Sequence, residues 1–167
     1  RPTTSQPTPK AFLEAYRQAA ASGAEQVMVV TISSAMSGTI ESARRAAQES
    51  PIPVTLHDGR NNSMGIGWQV IAAARAQEAG GGLREMVAAA ERVRPRISYY
   101  ISLDTIEYLS SGGRIAEAAR FLSSVISIKP LIFVKPEVGV VGASIPARSR
   151  KNAIDGMYKE FSRHIHP

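Results

Sequence analysis

Hydrophobic and polar positions alternate along this chain in two distinct rhythms. Phe12, Leu13, Tyr16 and Ala20 recur at helical spacing behind Thr8-Pro9, a helix start with Thr at the N-cap and Pro at the first helical position, and the segment ends near Gly23. The apolar, β-branched run from Gln26 to Ser33 then predicts a strand covered on both faces, as in parallel sheets flanked by helices. A helix from about Gly38 to Glu49 follows, broken by Pro51 and Pro53, and Val54-Thr55-Leu56-His57-Asp58 reads as a second short strand. Met64 to Ala79 predicts a long helix with Ile66, Val70, Ile71 and Ala74 inward, stopped by Gly80-Gly81-Gly82. Leu83, Met86, Val87, Ala90 and Val93 make another helical stripe, ended by Pro95.

Beyond Pro95 the texture changes. Ile97 to Leu103 predicts a strand, Ala116 to Ser124 a helix, and Ile128–Val134 and Val138–Ser144 two strands. The short Lys135-Pro136-Glu137 connection makes those two an antiparallel hairpin. A last helix spans about Ser149 to His164. The fold class expected is α/β, a parallel sheet flanked by helices over residues 1–95, followed by part of a second, α+β domain over 96–167.

The candidate chemistry sits where the first strand hands over to its helix. Ser33-Ser34-Ala35-Met36-Ser37-Gly38-Thr39 packs four hydroxyls and a glycine into that junction. A helix amino terminus offers unpaired N–H groups and a favourable dipole to an anion, and each hydroxyl can donate a proton. The junction therefore suits a small anionic head group. Taken alone, the same residues more often only cap a helix and close a turn.

Composition narrows the classes. At 167 residues with 44% hydrophobic content, the chain is long enough for a core. It has no cysteine, which excludes disulfides and thiolate metal sites and makes the cytoplasm the expected compartment. No apolar run approaches the roughly 20 residues that cross a bilayer, so no integral membrane segment is expected. The net charge is +6, and 13 of the 20 Lys and Arg residues lie from Arg84 onward, with Arg148-Ser149-Arg150-Lys151 the tightest group. Aromatic residues are 6% and do not interleave with the basic ones, so the excess reads as a protein-docking or solvated face, not a nucleic-acid platform.

Three pieces stand in order: Thr4-Ser5-Gln6-Pro7, the hydroxyl loop, and Tyr108-Leu109-Ser110-Ser111-Gly112-Gly113-Arg114-Ile115. With Asp58 before a small-residue loop and Ser63-Met64-Gly65, Asp104-Thr105, Ile128-Lys129-Pro130, and the basic Ala147 to Ile154 segment, the set resembles the DegV family of bacterial fatty-acid-binding proteins. The resemblance implies a non-catalytic carrier. One long-chain fatty acid lies between two domains, its carboxylate held by hydroxyls and its acyl chain in an apolar tunnel. The carrier presents it to a separate fatty acid kinase for phospholipid synthesis. Carried over by motif, Thr4 and Ser34 would hold the carboxylate with Ser5, Ser33 and Ser37 close by, and Arg114 would sit near the head group or the tunnel mouth. Met36, inside the loop, is a possible tunnel wall, and Arg148 and Arg150 would meet the kinase. No cofactor or metal is implied. The family's chains also start earlier and run on well beyond Pro167, so this sequence matches their middle.

Other candidates are weaker. Gly65-Ile66-Gly67 is half a dinucleotide fingerprint, with Val70 where a third glycine belongs. His164 and His166 lack a third ligand, and Trp68 reads as core. An enzyme alternative is a serine hydrolase or acyl transferase using Ser34 or Ser37 with His57 as base; but His57 and Asp58, adjacent on a strand, point to opposite faces, against a direct relay. A basic regulatory or nucleic-acid-associated module is the third reading.

Overall fold

The computed structural model describes residues 4–104, 129, 131–143 and 147–165. It is a mixed α/β structure in which two small sheets are covered by helices. Helix α1 (Pro9–Ala21) begins as the sequence predicts: Thr8 Oγ1 accepts the Ala11 N–H at 3.3 Å and Pro9 opens the first turn. Gly23, at φ +88°, turns the chain out of it. Tyr16 is the one residue α1 buries fully, and its hydroxyl donates to the Ala43 carbonyl at 3.2 Å in α2 (Thr39–Ala47). Burial pushes the Tyr16 phenol pKa up. Helix α2 answers with Ile40, Ala43 and Ala46, the two alanines small enough for α1 to lie close.

Strands β1 (Val27–Thr31) and β2 (Val54–Asp58) pair parallel, Val27 opposite Val54 and Thr31 opposite Asp58, with α2 as the crossover. This register brings both carboxyl ends to one edge. Val27 to Val30 are half-buried, not enclosed on both faces as the apolar run predicted, since β1 pairs only with β2 among the described residues.

Helix α3 (Ser63–Glu78) departs further from its expected face. Gly65, Gln69 and Ala73 are the buried positions, whereas Ala74 is exposed, Val70 is 45% exposed and Trp68 is 52% exposed. The inward stripe is shifted because a glutamine, with polar partners to satisfy, takes the central buried place. Helix α4 (Leu83–Val93) packs against α3 and passes into a 3-10 turn, Arg94–Arg96, at Pro95.

The second sheet runs β3 (Tyr100–Ser102), β4 (Leu131–Lys135), β5 (Val140–Ala143), all antiparallel. The predicted hairpin is present, with Lys135 paired to Val140, while the predicted Ile97–Leu103 strand is reduced to three residues. Phe133 lies over Gly142, where a side chain would meet its ring at 2.7 Å, and stands 6.2 Å from the Tyr100 ring. Helix α5 (Arg150–Ile165) buries Ala153 against this sheet. The expected helix 116–124, the 108–115 motif with Arg114, Thr105, Ile128, Pro130 and Ser144 lie outside the described residues. No described helix is long and apolar enough to cross a membrane.

Candidate functional site

Because β1 and β2 end in register, the loops that leave them meet. The Ser33 N–H donates to the Asn61 carbonyl at 3.0 Å and the Gly59 N–H to the Thr31 carbonyl at 3.0 Å, stitching the two loops together. Ser34 then reaches across to Asp58: its N–H donates to Oδ1 at 3.1 Å and its hydroxyl to Oδ2 at 2.5 Å. The Arg60 N–H adds a third donor to Oδ1 at 3.0 Å. Partial burial pushes the Asp58 carboxyl pKa up, but the Ser34 hydroxyl, the Arg60 and Ser34 N–H groups and the Arg60 charge together outweigh it and hold the group below its ordinary value.

The hydroxyls of the loop divide by role. Ser33 is fully buried and donates to the Gly139 carbonyl at 2.7 Å, which ties the loop to the β4–β5 turn. Ser34 is exposed. Ser37 and Thr39 bond each other at 2.8 Å, and the Thr39 N–H donates to Ser37 Oγ at 3.3 Å, so Ser37 finishes the turn ahead of α2. Thr4 and Ser5 are exposed, and the next residue anchors them: Gln6 Nε2 donates to Ser42 Oγ at 3.1 Å, with its side chain against Gly38. Met36 is half-buried, its sulfur accepting weakly from Asn62 Nδ2 at 3.9 Å.

The β4–β5 turn closes over this edge. Arg60 Nη1 donates to the Glu137 carbonyl at 2.8 Å, and Gly139, at φ +71°, packs directly on Ser33 Oγ and the Arg60 backbone. Arg60 and Ser63 both hold positive φ, 45° and 46°, an unfavourable conformation for their side chains and one that gathers at functional edges. Between them stand Asn61 and Asn62. Asn61 Nδ2 and Asn62 Oδ1, with Thr31 Oγ1, are buried without a hydrogen-bond partner among the described residues. A buried polar atom left unpaired costs about 1–3 kcal/mol.

His57 faces elsewhere, as its place beside Asp58 on a strand predicts. Its Nε2 meets Gln69 Oε1 at 2.9 Å. Gln69 Nε2 spends its protons on the Gly59 and Gly65 carbonyls, both at 2.8 Å, so Oε1 accepts and His57 Nε2 carries the proton. Of the residues carried by motif, the structure gathers Ser33, Ser34, Met36 and Ser37 at one edge and adds Asp58, Arg60, Asn61 and Gly139. Arg148 and Arg150 are exposed on the approach to α5, where Arg150 pairs with Asp104 at 3.2 Å, as does Lys129 at 3.3 Å. A separate groove of about 400 Å³ runs along α3 between Trp68, Ile71, Val93, Ile97 and Phe161, and none of the hydroxyl loop lines it. Among the described residues no group of three or more His, Asp or Glu is placed to hold a metal ion.

The molecule is thus an α/β protein with a hydroxyl-rich edge at the carboxyl ends of two parallel strands, the end of the sheet at which folds of this kind take their ligands. The chain belongs to the DegV family, whose model ("Uncharacterised protein, DegV family") matches residues 1–166. It is 42% identical over 130 residues to a DegV domain-containing protein of Streptomyces coelicolor, covering 78% of this chain and 46% of that protein. A DegV domain-containing protein of Deinococcus radiodurans is 37% identical over 164 residues, 98% of this chain and 57% of its own length. A fatty-acid-binding DegV family protein from Thermus thermophilus superposes with a TM-score of 0.88 at 38% identity, over 99% of this chain and 58% of that one. The chain therefore spans about half the length of the relatives it matches.

Proposed function

We propose that this chain binds a long-chain fatty acid, with the carboxyl head at the hydroxyl edge and the acyl chain in an apolar tunnel. The observation that carries this reading is its likeness, over nearly its full length, to the fatty-acid-binding Thermus protein. The built edge supports it, with Ser34, Thr4 and Ser5 all exposed. In this reading Thr4 and Ser34 meet the head group, Ser5 and Ser37 lie close by, Arg114 stands near it, and Met36 contributes to the tunnel wall. Ser33, its hydroxyl proton donated to the Gly139 carbonyl, lies close by and shapes the edge. Each buried CH₂ adds about 0.8 kcal/mol, so the acyl chain supplies most of the affinity and the head group sets orientation.

The same proposal includes a two-domain organisation at 1–95 and 96–167, a cytoplasmic carrier with no catalysis of its own, and presentation of the bound acid to a fatty acid kinase for phospholipid synthesis through Arg148 and Arg150. The serine-hydrolase alternative is disfavoured by the turn of His57 toward Gln69 and of Ser34 toward Asp58.

The test is native mass spectrometry with oleate and palmitate, alongside thermal melting. The expected outcome is one fatty acid per chain and a raised Tm, with Ser34→Ala weakening binding about tenfold. The absence of both a mass increment and a Tm change with oleate and with palmitate would overturn the reading.

A further inference from the structure

The hydroxyl assigned to the head group is already a donor elsewhere. Ser34 has one hydroxyl proton, and it goes to Asp58 Oδ2 at 2.5 Å, while the Ser34 N–H holds the other carboxylate oxygen at 3.1 Å. An ionised carboxylate only accepts, so the proton of this pair belongs to Ser34 and what Ser34 Oγ still offers is its lone pairs. A ligand carboxylate cannot use lone pairs. Placed at Ser34 Oγ, it would set two anions on either side of a hydroxyl with one proton to serve both. Elsewhere in the loop Ser33 donates to Gly139, and of the two Ser37 and Thr39 hydroxyl protons one is taken up in the bond between them.

We infer that this edge takes the fatty acid as the neutral carboxylic acid, whose O–H donates to Ser34 Oγ while Ser34 stays bonded to Asp58. The inference rests on the reading that Ser34 faces the head group. The proton stays on the ligand and no covalent bond changes. The ligand's carbonyl oxygen remains free to accept from an exposed hydroxyl such as Thr4. Asp58 is then a positioning residue: it fixes the direction of the Ser34 hydroxyl and so selects a ligand that can donate. The charged groups that face Asp58 among the described residues are Arg60, on the loop after β2, and Arg94, whose Nη1 donates to the Asp58 backbone carbonyl at 3.2 Å. On the other side β1 and its loop bring Thr31 and Ser34, which carry no charge. The carboxyl's depressed pKa keeps Asp58 an acceptor at neutral pH.

Binding a neutral acid from neutral solution takes up a proton, and that can be counted. Calorimetric titration of this chain with dodecanoate, in buffers of different ionisation enthalpy near pH ~7.5, should show uptake of about one proton per ligand. The Kd should rise about tenfold per pH unit above the acid's own pKa. In Asp58→Asn the amide can donate to Ser34 Oγ and release the serine proton, so uptake should fall toward zero and the pH slope should flatten. Ser34→Ala should lose the uptake as well, and it serves where Asp58→Asn does not fold. Binding to the wild type without proton uptake overturns this inference alone, as does uptake that survives both variants. Failure to bind dodecanoate, oleate and palmitate alike overturns the fatty-acid reading and this inference with it.

Discussion

Asp58 shows how much one side chain organises here. It ends β2, accepts three hydrogen bonds from the neighbouring loops, and directs the hydroxyl of the exposed Ser34. Its folded pKa lies below the ordinary aspartate value, so its contribution to stability is present above the unfolded pKa and is lost as pH falls through the folded one. The expected outcome is a wild-type Tm that drops on acidification below about pH 4, with a shallower drop for Asp58→Asn. Parallel Tm–pH curves for the two proteins would show that the carboxylate is not stabilising. As a site residue Asp58 was only partly legible in the sequence. Its place before a small-residue loop counted among the family motifs, but the Ser34 partnership depends on two loops 24 residues apart meeting, which no local pattern encodes.

At the scale of the element, α3 shows where helical periodicity misleads. Its apolar residues predicted a stripe through Ile66, Val70, Ile71 and Ala74, yet the fully buried residue at its centre is Gln69. Burying an amide is tolerated because every arm is matched: His57 Nε2, the Gly59 carbonyl and the Gly65 carbonyl. That net fixes the first turns of α3 against β2 and the loop that carries Arg60 and Asn61. Gln69→Leu keeps the size but removes the partner of His57 Nε2 and of the Gly59 carbonyl. It should cost about 2–4 kcal/mol, read as a lower urea midpoint at unchanged m value. The helix ends were far more legible, because Thr8-Pro9 and Gly80 act locally through a cap and a positive φ of 86°.

For the molecule as a whole, the decisive contact is the seat of the β4–β5 turn on the hydroxyl loop. Ser33 and Gly139 are 106 residues apart, and the bond between them joins the parallel pair to the antiparallel sheet. Gly139 can be nothing larger without strain: its φ is +71°, and a Cβ would run into Ser33 Oγ and stand 2.9 Å from the Arg60 Cα. Gly139→Ala should therefore destabilise by about 2 kcal/mol and speed amide exchange in both 33–37 and 136–140. Faster exchange in the turn alone would mean that the two sheets are held together elsewhere.

The sequence by itself determined the order and kind of most described elements, the helix caps, the hairpin and the hydroxyl loop, and its ordered motifs placed the chain in its family. Those signals are local, carried by periodicity, capping and turn residues within a few positions. Only the tertiary structure decided which hydroxyl is spent and which is available, because that depends on partners far along the chain. Ser33, Ser34 and Ser37 are alike as letters. The fold gives the first to Gly139, sets the second on Asp58 at an exposed edge, and uses the third to finish a turn.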